Sequence, residues 1–62
     1  MSLYNDVTAL LKEIGYTFSR QGKGSHEIWC KEGRNCVTVP SNLKSRHTGN
    51  KALKEAGSKK KI

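Results

Sequence analysis

The fold is decided by the stretch Gly22-Lys23-Gly24-Ser25-His26-Glu27-Ile28-Trp29, which joins a basic turn to the start of a strand. Glycine adopts positive φ angles and lets the backbone approach a ligand closely. Histidine is the side chain that ordinarily changes its charge near neutral pH. The combination suits a phosphate group beside a proton-transfer residue, although an ordinary hairpin turn followed by a strand histidine fits the same residues.

Strand patterns lie on both sides of this turn. Residues 16–21 alternate aromatic and polar side chains, residues 25–31 form the second strand, and residues 36–39 form a third that Pro40 ends. If the loops span 22–24 and 32–35, Phe18 pairs with Ile28 and Arg20 pairs with His26. One face of the sheet is then apolar and consists of Tyr16, Phe18, Ile28, Cys30, Val37 and Val39.

This register has three further consequences. It places His26 partly buried at the edge of the core, and it leaves Trp29 on the opposite face. It also separates Cys30 from Cys36, so that we expect two reduced, packed thiols. A zinc site built from both cysteines with His26 and His47 is disfavoured, because the cysteines are too far apart in sequence for a zinc knuckle.

Helical periodicity begins and ends the chain. Leu3, Val7, Leu10, Leu11 and Ile14 predict a helix over 3–14, with Ser2 or Asn5 as its cap and Gly15 after it. A second helix is predicted over 46–56, before Gly57. The order α-β-β-β-α predicts an α+β fold with a three-stranded antiparallel sheet and both helices on one face. Residues 1–57 form the single domain, and residues 58–62 are expected to be a mobile basic tail.

The charge of the chain is concentrated near its C-terminus. The 62 residues carry a formal net charge of +7. Residues 1–43 hold five Lys and Arg against four Asp and Glu, whereas residues 44–62 hold seven against one. This asymmetry predicts a polyanionic partner, either a nucleic acid or an acidic protein. No run approaches the roughly 18 apolar residues of a membrane span and no secretory segment follows Met1, so we expect a cytoplasmic protein without a membrane partner.

These residues together resemble the HicA-type mRNA interferase toxins, which have a double-stranded-RNA-binding-domain-like fold. The resemblance runs from the first helix to Gly57 and includes Gly15-Tyr16, Arg20-Gln21, Gly24-Ser25-His26, Val39-Pro40 and Leu53-Lys54-Glu55-Ala56-Gly57. It implies an endoribonuclease that cleaves mRNA and is neutralised by a HicB-type antitoxin. The catalytic histidine of the family maps onto His26. Many members carry another histidine soon after the strand-ending proline, where this chain has Ser41-Asn42.

Cleavage of RNA without a metal or cofactor requires proton transfer and neutralisation of the phosphate charge. His26 is the predicted acid or base. Arg20, Lys23 and the amide of Gly24 are candidates to hold the phosphate, and Ser25 is a candidate to orient it. The predicted contacts to the RNA backbone are Lys44, Arg46 and Lys51. Two alternatives remain from the sequence: a non-catalytic double-stranded-RNA-binding module, and a small basic adaptor for an acidic protein.

Overall fold

The computed structural model describes residues 2–62. The elements are α1 (Leu3–Glu13), β1 (Thr17–Gln21), β2 (His26–Cys30), β3 (Val37–Pro40) and α2 (Arg46–Glu55). The strands form one antiparallel sheet in the order β1-β2-β3. The predicted α-β-β-β-α layout is therefore confirmed.

The helices begin and end close to the predicted residues. Ser2 caps α1, and its hydroxyl accepts the N–H of Asn5 at 3.0 Å. Ser45 caps α2 in the same way, accepting the N–H of Thr48 at 3.4 Å. A side chain that satisfies a free N–H of the first turn stabilises the helix start. Gly15 and Gly57, both with positive φ, follow the two helices as the sequence predicts.

One apolar core lies between the helices and one face of the sheet. The sheet contributes Trp29, Val37 and Val39, and the fully buried side chains of Val7 and Leu11 come from α1. The rest of this core consists of Tyr16, Leu43, Ala52, Leu53 and Ala56. Removal of these apolar groups from water is the main contribution to the stability of so small a domain.

The register of the sheet differs from the predicted one, by one residue at Phe18 and between β2 and β3, and by two residues at Arg20. Phe18 lies opposite Trp29, and Arg20 lies opposite Ile28 rather than His26. Both loops are longer than predicted. Gln21 pairs with Glu27, so residues 22–26 lie between these paired positions, and the pairing of Trp29 with Val37 lengthens the second loop. The pairing of β1 is also irregular between Phe18 and Arg20. Because side chains alternate along a strand, a shift of one residue exchanges the two faces of β2, while Val37 and Val39 of β3 stay on the core face as predicted.

The exchange of faces corrects several predictions. Trp29 is 3% exposed and belongs to the core. Phe18 pairs with Trp29 and so lies on the same face, but it is 50% exposed, and the two rings meet in a T-shaped arrangement with their centroids 6.2 Å apart. Ile28 and Cys30 leave the predicted core and are only partly buried. The prediction for Tyr16 is confirmed, since its ring is fully buried and its hydroxyl donates to the carbonyl of Asn35 at 2.8 Å.

Cys30 and Cys36 are joined by a disulfide, which contradicts the expectation of two reduced thiols. The observed register continues one step beyond Trp29 and Val37, so the two cysteines face each other across β2 and β3. Their Cα atoms are 4.1 Å apart. Facing cysteines on neighbouring antiparallel strands are close enough to bond, whereas the predicted register would have kept them apart.

Residues 58–62 contact both helices. Lys60 forms an ion pair of 3.1 Å with Glu13, and Ile62 makes two hydrogen bonds to the side chain of Asn50. The predicted mobility of this segment stays a prediction, because contacts alone do not measure motion. Within residues 2–62, neither helix has the length and apolar character that crossing a bilayer requires.

Candidate functional site

The turn between β1 and β2 fixes the backbone of His26 at several points. The carbonyl of His26 accepts the N–H of Gly22 at 2.7 Å, and its own N–H donates to Lys23 at 3.1 Å. The amide nitrogen of Gln21 donates to the carbonyls of Gly24 and His26 at 3.1 and 3.0 Å. Gly24 has φ +64°, a conformation that strains any side chain with a Cβ atom, so glycine suits this turn.

His26 opens onto two adjoining grooves. Its side chain is exposed, not partly buried as predicted, because His26 is the first residue of β2 and lies outside the core-facing row. The first groove has a volume of about 340 Å³ and reaches the start of α2; its lining is Ser25, His26, Pro40, Asn42, Leu43, Lys44, Ser45 and Thr48. The second, of about 210 Å³, follows α2 and is lined by His26, Thr38, Pro40, Thr48, Lys51, Ala52 and Glu55.

The loop after β3 is held against His26 by two hydrogen bonds to the neighbouring Ser25. The N–H of Ser41 donates to the Ser25 carbonyl at 2.8 Å, and the Ser25 hydroxyl donates to Asn42 Oδ1 at 3.1 Å. Asn42 therefore lies beside His26, in the segment where the resembled family often has a second histidine. An amide there can orient a ligand through hydrogen bonds, but it cannot transfer protons as a histidine does.

The first groove is lined by groups that attract an anion. Lys44 is exposed at its edge, and Ser45 and Thr48 place the start of α2 on its wall. A helix start carries a partial positive charge and unpaired N–H groups, which together favour an anion. No acidic side chain lies in the first turn of α2 to cancel this effect. A phosphate group fits the chemistry of this groove.

The structure brings together only part of the predicted set. Ser25, His26, Lys44 and Lys51 line the two grooves. The predicted residues outside the groove linings are Arg20, Lys23, Gly24 and Arg46. His47 also lies elsewhere, in a groove with Asn50, Lys51 and Lys54.

Three residues of the site were missed by sequence reasoning. Thr48 lines both grooves, Asn42 contacts Ser25, and Gln21 holds the turn. The sequence did contain a signal for Thr48. Ser45 lies three residues before it, and a helix cap at Ser45 puts Thr48 in the first turn of α2. The positions of Asn42 and Gln21 depend on contacts between distant elements or on turn geometry, which no sequence spacing reveals.

A comparison with protein families gives a match over residues 4–58 to the family described as the HicA toxin of bacterial toxin-antitoxin systems. The chain belongs to the HicA toxin family. The match covers both helices and all three strands, so the resemblance found in the sequence is confirmed. No curated protein and no solved structure gives a significant match. Membership of the HicA family supports a toxin role and an antitoxin partner.

Proposed function

We propose that this HicA-family chain is an endoribonuclease that cleaves mRNA with His26 as its one catalytic histidine, and that a HicB-type antitoxin neutralises it. The observation that carries the proposal is the position of His26. Its exposed ring adjoins a groove whose walls include Lys44 and the start of α2. A proton-transfer group next to an anion site is the minimum that phosphodiester cleavage needs.

The first groove accounts for binding of the scissile phosphate. In the proposed complex, one phosphate oxygen faces the start of α2 and Lys44 neutralises the charge from the side. Both groups strengthen their interaction as charge accumulates on the phosphorus oxygens in the transition state, which is the requirement for catalysis rather than binding alone. The Ser25–Asn42 hydrogen bond positions this wall relative to His26.

The proposed reaction is an internal displacement that requires no metal ion. The 2′-oxygen attacks the adjacent phosphorus and forms a bond to it as its proton leaves, while the bond from phosphorus to the 5′-oxygen breaks. The products are a 2′,3′-cyclic phosphate and a free 5′-hydroxyl, which takes up one proton. His26 carries one of these two proton transfers and water carries the other, because this chain has Ser41-Asn42 where many members of the family have a second histidine.

The remaining predicted residues have outer roles in this proposal. Lys51 binds the RNA backbone beside His26, in the second groove. Lys23 and Gly24 form the rim of the turn, where their charge and N–H groups reach a neighbouring phosphate. Arg20 and Arg46 contribute to attraction of the polyanion at longer range.

The experiment that tests the proposal replaces His26 and compares it with the second histidine of the chain. In His26→Ala we expect RNA cleavage in EDTA-containing buffer to fall by about a hundredfold or more, the usual effect of losing a general acid or base. Growth inhibition on expression should disappear as well. His47→Ala is the matched control, because His47 lines neither groove beside His26. It should retain cleavage and toxicity.

Three outcomes contradict the proposal. Cleavage at the wild-type rate by folded His26→Ala excludes His26 as the catalyst. Loss of wild-type cleavage in EDTA, restored by a divalent ion, excludes the metal-free reaction. Tight, salt-sensitive RNA binding by the wild type with no cleavage over a wide pH range would instead identify a double-stranded-RNA-binding module.

A further inference from the structure

The segment after α2 is fastened to that helix at Ile62. The side chain of Asn50 donates to the Ile62 carbonyl at 3.2 Å and accepts the Ile62 N–H at 2.8 Å. The apolar side chain of Ile62 is partly buried against the core. Its Cδ1 atom lies 3.1 Å from the point where a Cβ atom would stand on Gly49. The absence of a side chain on Gly49 therefore leaves the space that Ile62 uses.

The same segment is fastened at Ser58. The N–H of Ser58 donates to the carbonyl of Leu53 at 2.9 Å. The Ser58 hydroxyl donates to the Lys60 carbonyl at 2.9 Å and accepts the Lys60 N–H at 3.1 Å. Lys60 is turned toward α1, where it pairs with Glu13 at 3.1 Å. Lys59 and Lys61 are exposed between the two attachments.

Three grooves along α2 share residues and so form one continuous surface. The groove beside His26 includes Lys51. Lys51 and Lys54 line the next groove, together with Asn50. Lys54 and Asn50 also line the third, whose other wall is Ser58, Lys59, Lys60 and Lys61. We call the exposed row Lys51, Lys54, Lys59 and Lys61 the basic track.

We propose that the basic track binds the sugar–phosphate backbone of single-stranded RNA on one side of the cleavage site, and that the Asn50–Ile62 contact holds its far end in place. The proposal rests on the proposed function, since the track begins at the groove of His26. Lysines along a groove neutralise phosphates of the RNA backbone without reading bases. Fastening the segment before binding reduces the conformational entropy that RNA binding would otherwise have to remove.

An acidic protein is the other kind of polyanion that such a row attracts. The geometry favours RNA because the track and the groove of His26 meet at Lys51, so that one strand can occupy both. A row of lysines next to a catalytic groove extends the substrate contact and raises affinity for long RNA. The experiment below distinguishes the two kinds of partner by letting polyglutamate and unlabelled RNA compete with the bound RNA.

The test measures binding of a labelled single-stranded RNA by fluorescence anisotropy, using His26→Ala protein so that the RNA stays intact. The charge variant is Lys59→Gln with Lys61→Gln. The matched control is Lys12→Gln with Lys31→Gln, which removes the same charge from residues outside all three grooves. We expect the charge variant to bind roughly threefold to tenfold more weakly than the control. Its plot of log affinity against log salt should be less steep by about 1.4, the value for two phosphate contacts of a single strand.

Two uncharged variants test the attachment. Asn50→Ala removes both hydrogen bonds to Ile62, and Ile62→Ser removes the apolar contact from the other partner. Neither substitution changes the net charge. Each should nevertheless weaken RNA binding and speed amide hydrogen exchange at Lys59–Lys61. In the double variant the two losses should not add, because both substitutions break the same contact. Additive losses, or exchange as slow as in the wild type, would show that Ile62 does not hold the track.

The remaining outcomes decide between the two proposals. If the wild type cleaves RNA but the charge variant binds like its control, the basic track is refuted and the proposed function stands. If the wild type never cleaves RNA but the charge variant still binds more weakly than its control, the proposed function fails and the track stands. Displacement of the RNA by polyglutamate as readily as by unlabelled RNA would assign the surface to an acidic protein and overturn the inference.

Discussion

Glu27 is a partly buried carboxylate on the core-facing side of β2, and one of its oxygens accepts two hydrogen bonds. The hydroxyl of Tyr4 donates to Oε1 at 2.7 Å, and the indole N–H of Trp29 donates to the same atom at 3.1 Å. The polar atoms of both aromatic side chains are therefore engaged within the fold. Hydrogen bonding to Glu27 is the main cause that raises the pKa of Tyr4 above its ordinary value, followed by burial and by the negative charge of Glu27.

This raised pKa predicts a pH-dependent contribution to stability. Neutral Tyr4 is the form that the folded state favours, so the contribution is complete below the ordinary tyrosine pKa of about 10. It is lost as the pH rises through the higher pKa of the folded state. Tyr4→Phe should lower the free energy of unfolding by about 1–2 kcal/mol near neutral pH. Urea unfolding at increasing pH should show the difference from wild type shrinking above about pH 10.

Glu27→Gln provides the control for this prediction. It keeps an acceptor for Tyr4 and Trp29 but removes the negative charge. Its alkaline loss of stability should begin at a lower pH than in the wild type, because the Tyr4 pKa lies nearer its ordinary value. A difference between wild type and Tyr4→Phe that stays constant through the alkaline range would contradict the assignment.

The strands show how far local patterns determine a sheet. Composition and turn residues predict three strands at nearly the observed positions, but the pairing of strands depends on the number of residues in each loop. Two loops that are longer than predicted turned β2 over and moved Trp29 into the core, while Phe18 stayed on the face of Trp29 but is half exposed. The ambiguity lies in β2, where one face carries Ile28 and Cys30 and the other carries Trp29, so the hydrophobic pattern of this strand could not choose between its faces.

The helices were more predictable because their signals are local. Cap, apolar stripe and terminal glycine all lie within the element itself. What their patterns do not reveal is how closely two helices approach. Gly49 lies on the buried side of α2, and a Cβ atom there would be 2.8 Å from Val7 Cγ2 of α1. The close contact with α1, which is distant in sequence, therefore favours glycine at this position.

Gly49→Ala is expected to destabilise the domain despite the higher helix propensity of alanine. That propensity favours alanine by about 1 kcal/mol, while overpacking a filled core costs about 1–3 kcal/mol. The overlap with Val7 should prevail, since the Val7 side chain is fully buried and has little room to move. Thermal unfolding would show a lower Tm. In the Val7→Ala background, Gly49→Ala should lower the Tm by less than it does in the wild type, because the overlapping methyl group is gone. A higher Tm for Gly49→Ala alone would show that the helices separate easily.

At the scale of the whole molecule, charge and catalytic geometry come from different parts of the chain. Residues 44–62 carry a net charge of +6, and the turn before β2 supplies His26. The sequence predicts both features, but their meeting at Lys44 and Lys51 requires the loop after β3 to fold back onto Ser25. Arg20 looked equally suitable in the sequence and lines neither groove, because the pairing of β1 places it opposite Ile28.

This charge distribution predicts how the antitoxin associates. An antitoxin that neutralises the proposed nuclease by covering its RNA-binding surface would be attracted by the same charges around α2. Lys51→Glu should lower the association rate with the antitoxin by about tenfold at low salt, with a smaller change in the dissociation rate, as expected for electrostatic steering. Lys12→Glu makes the same charge change on α1 and is the control. Stopped-flow kinetics at low and high salt would measure both rates. Equal association rates for the two variants would mean that the antitoxin approaches from a different side of the molecule.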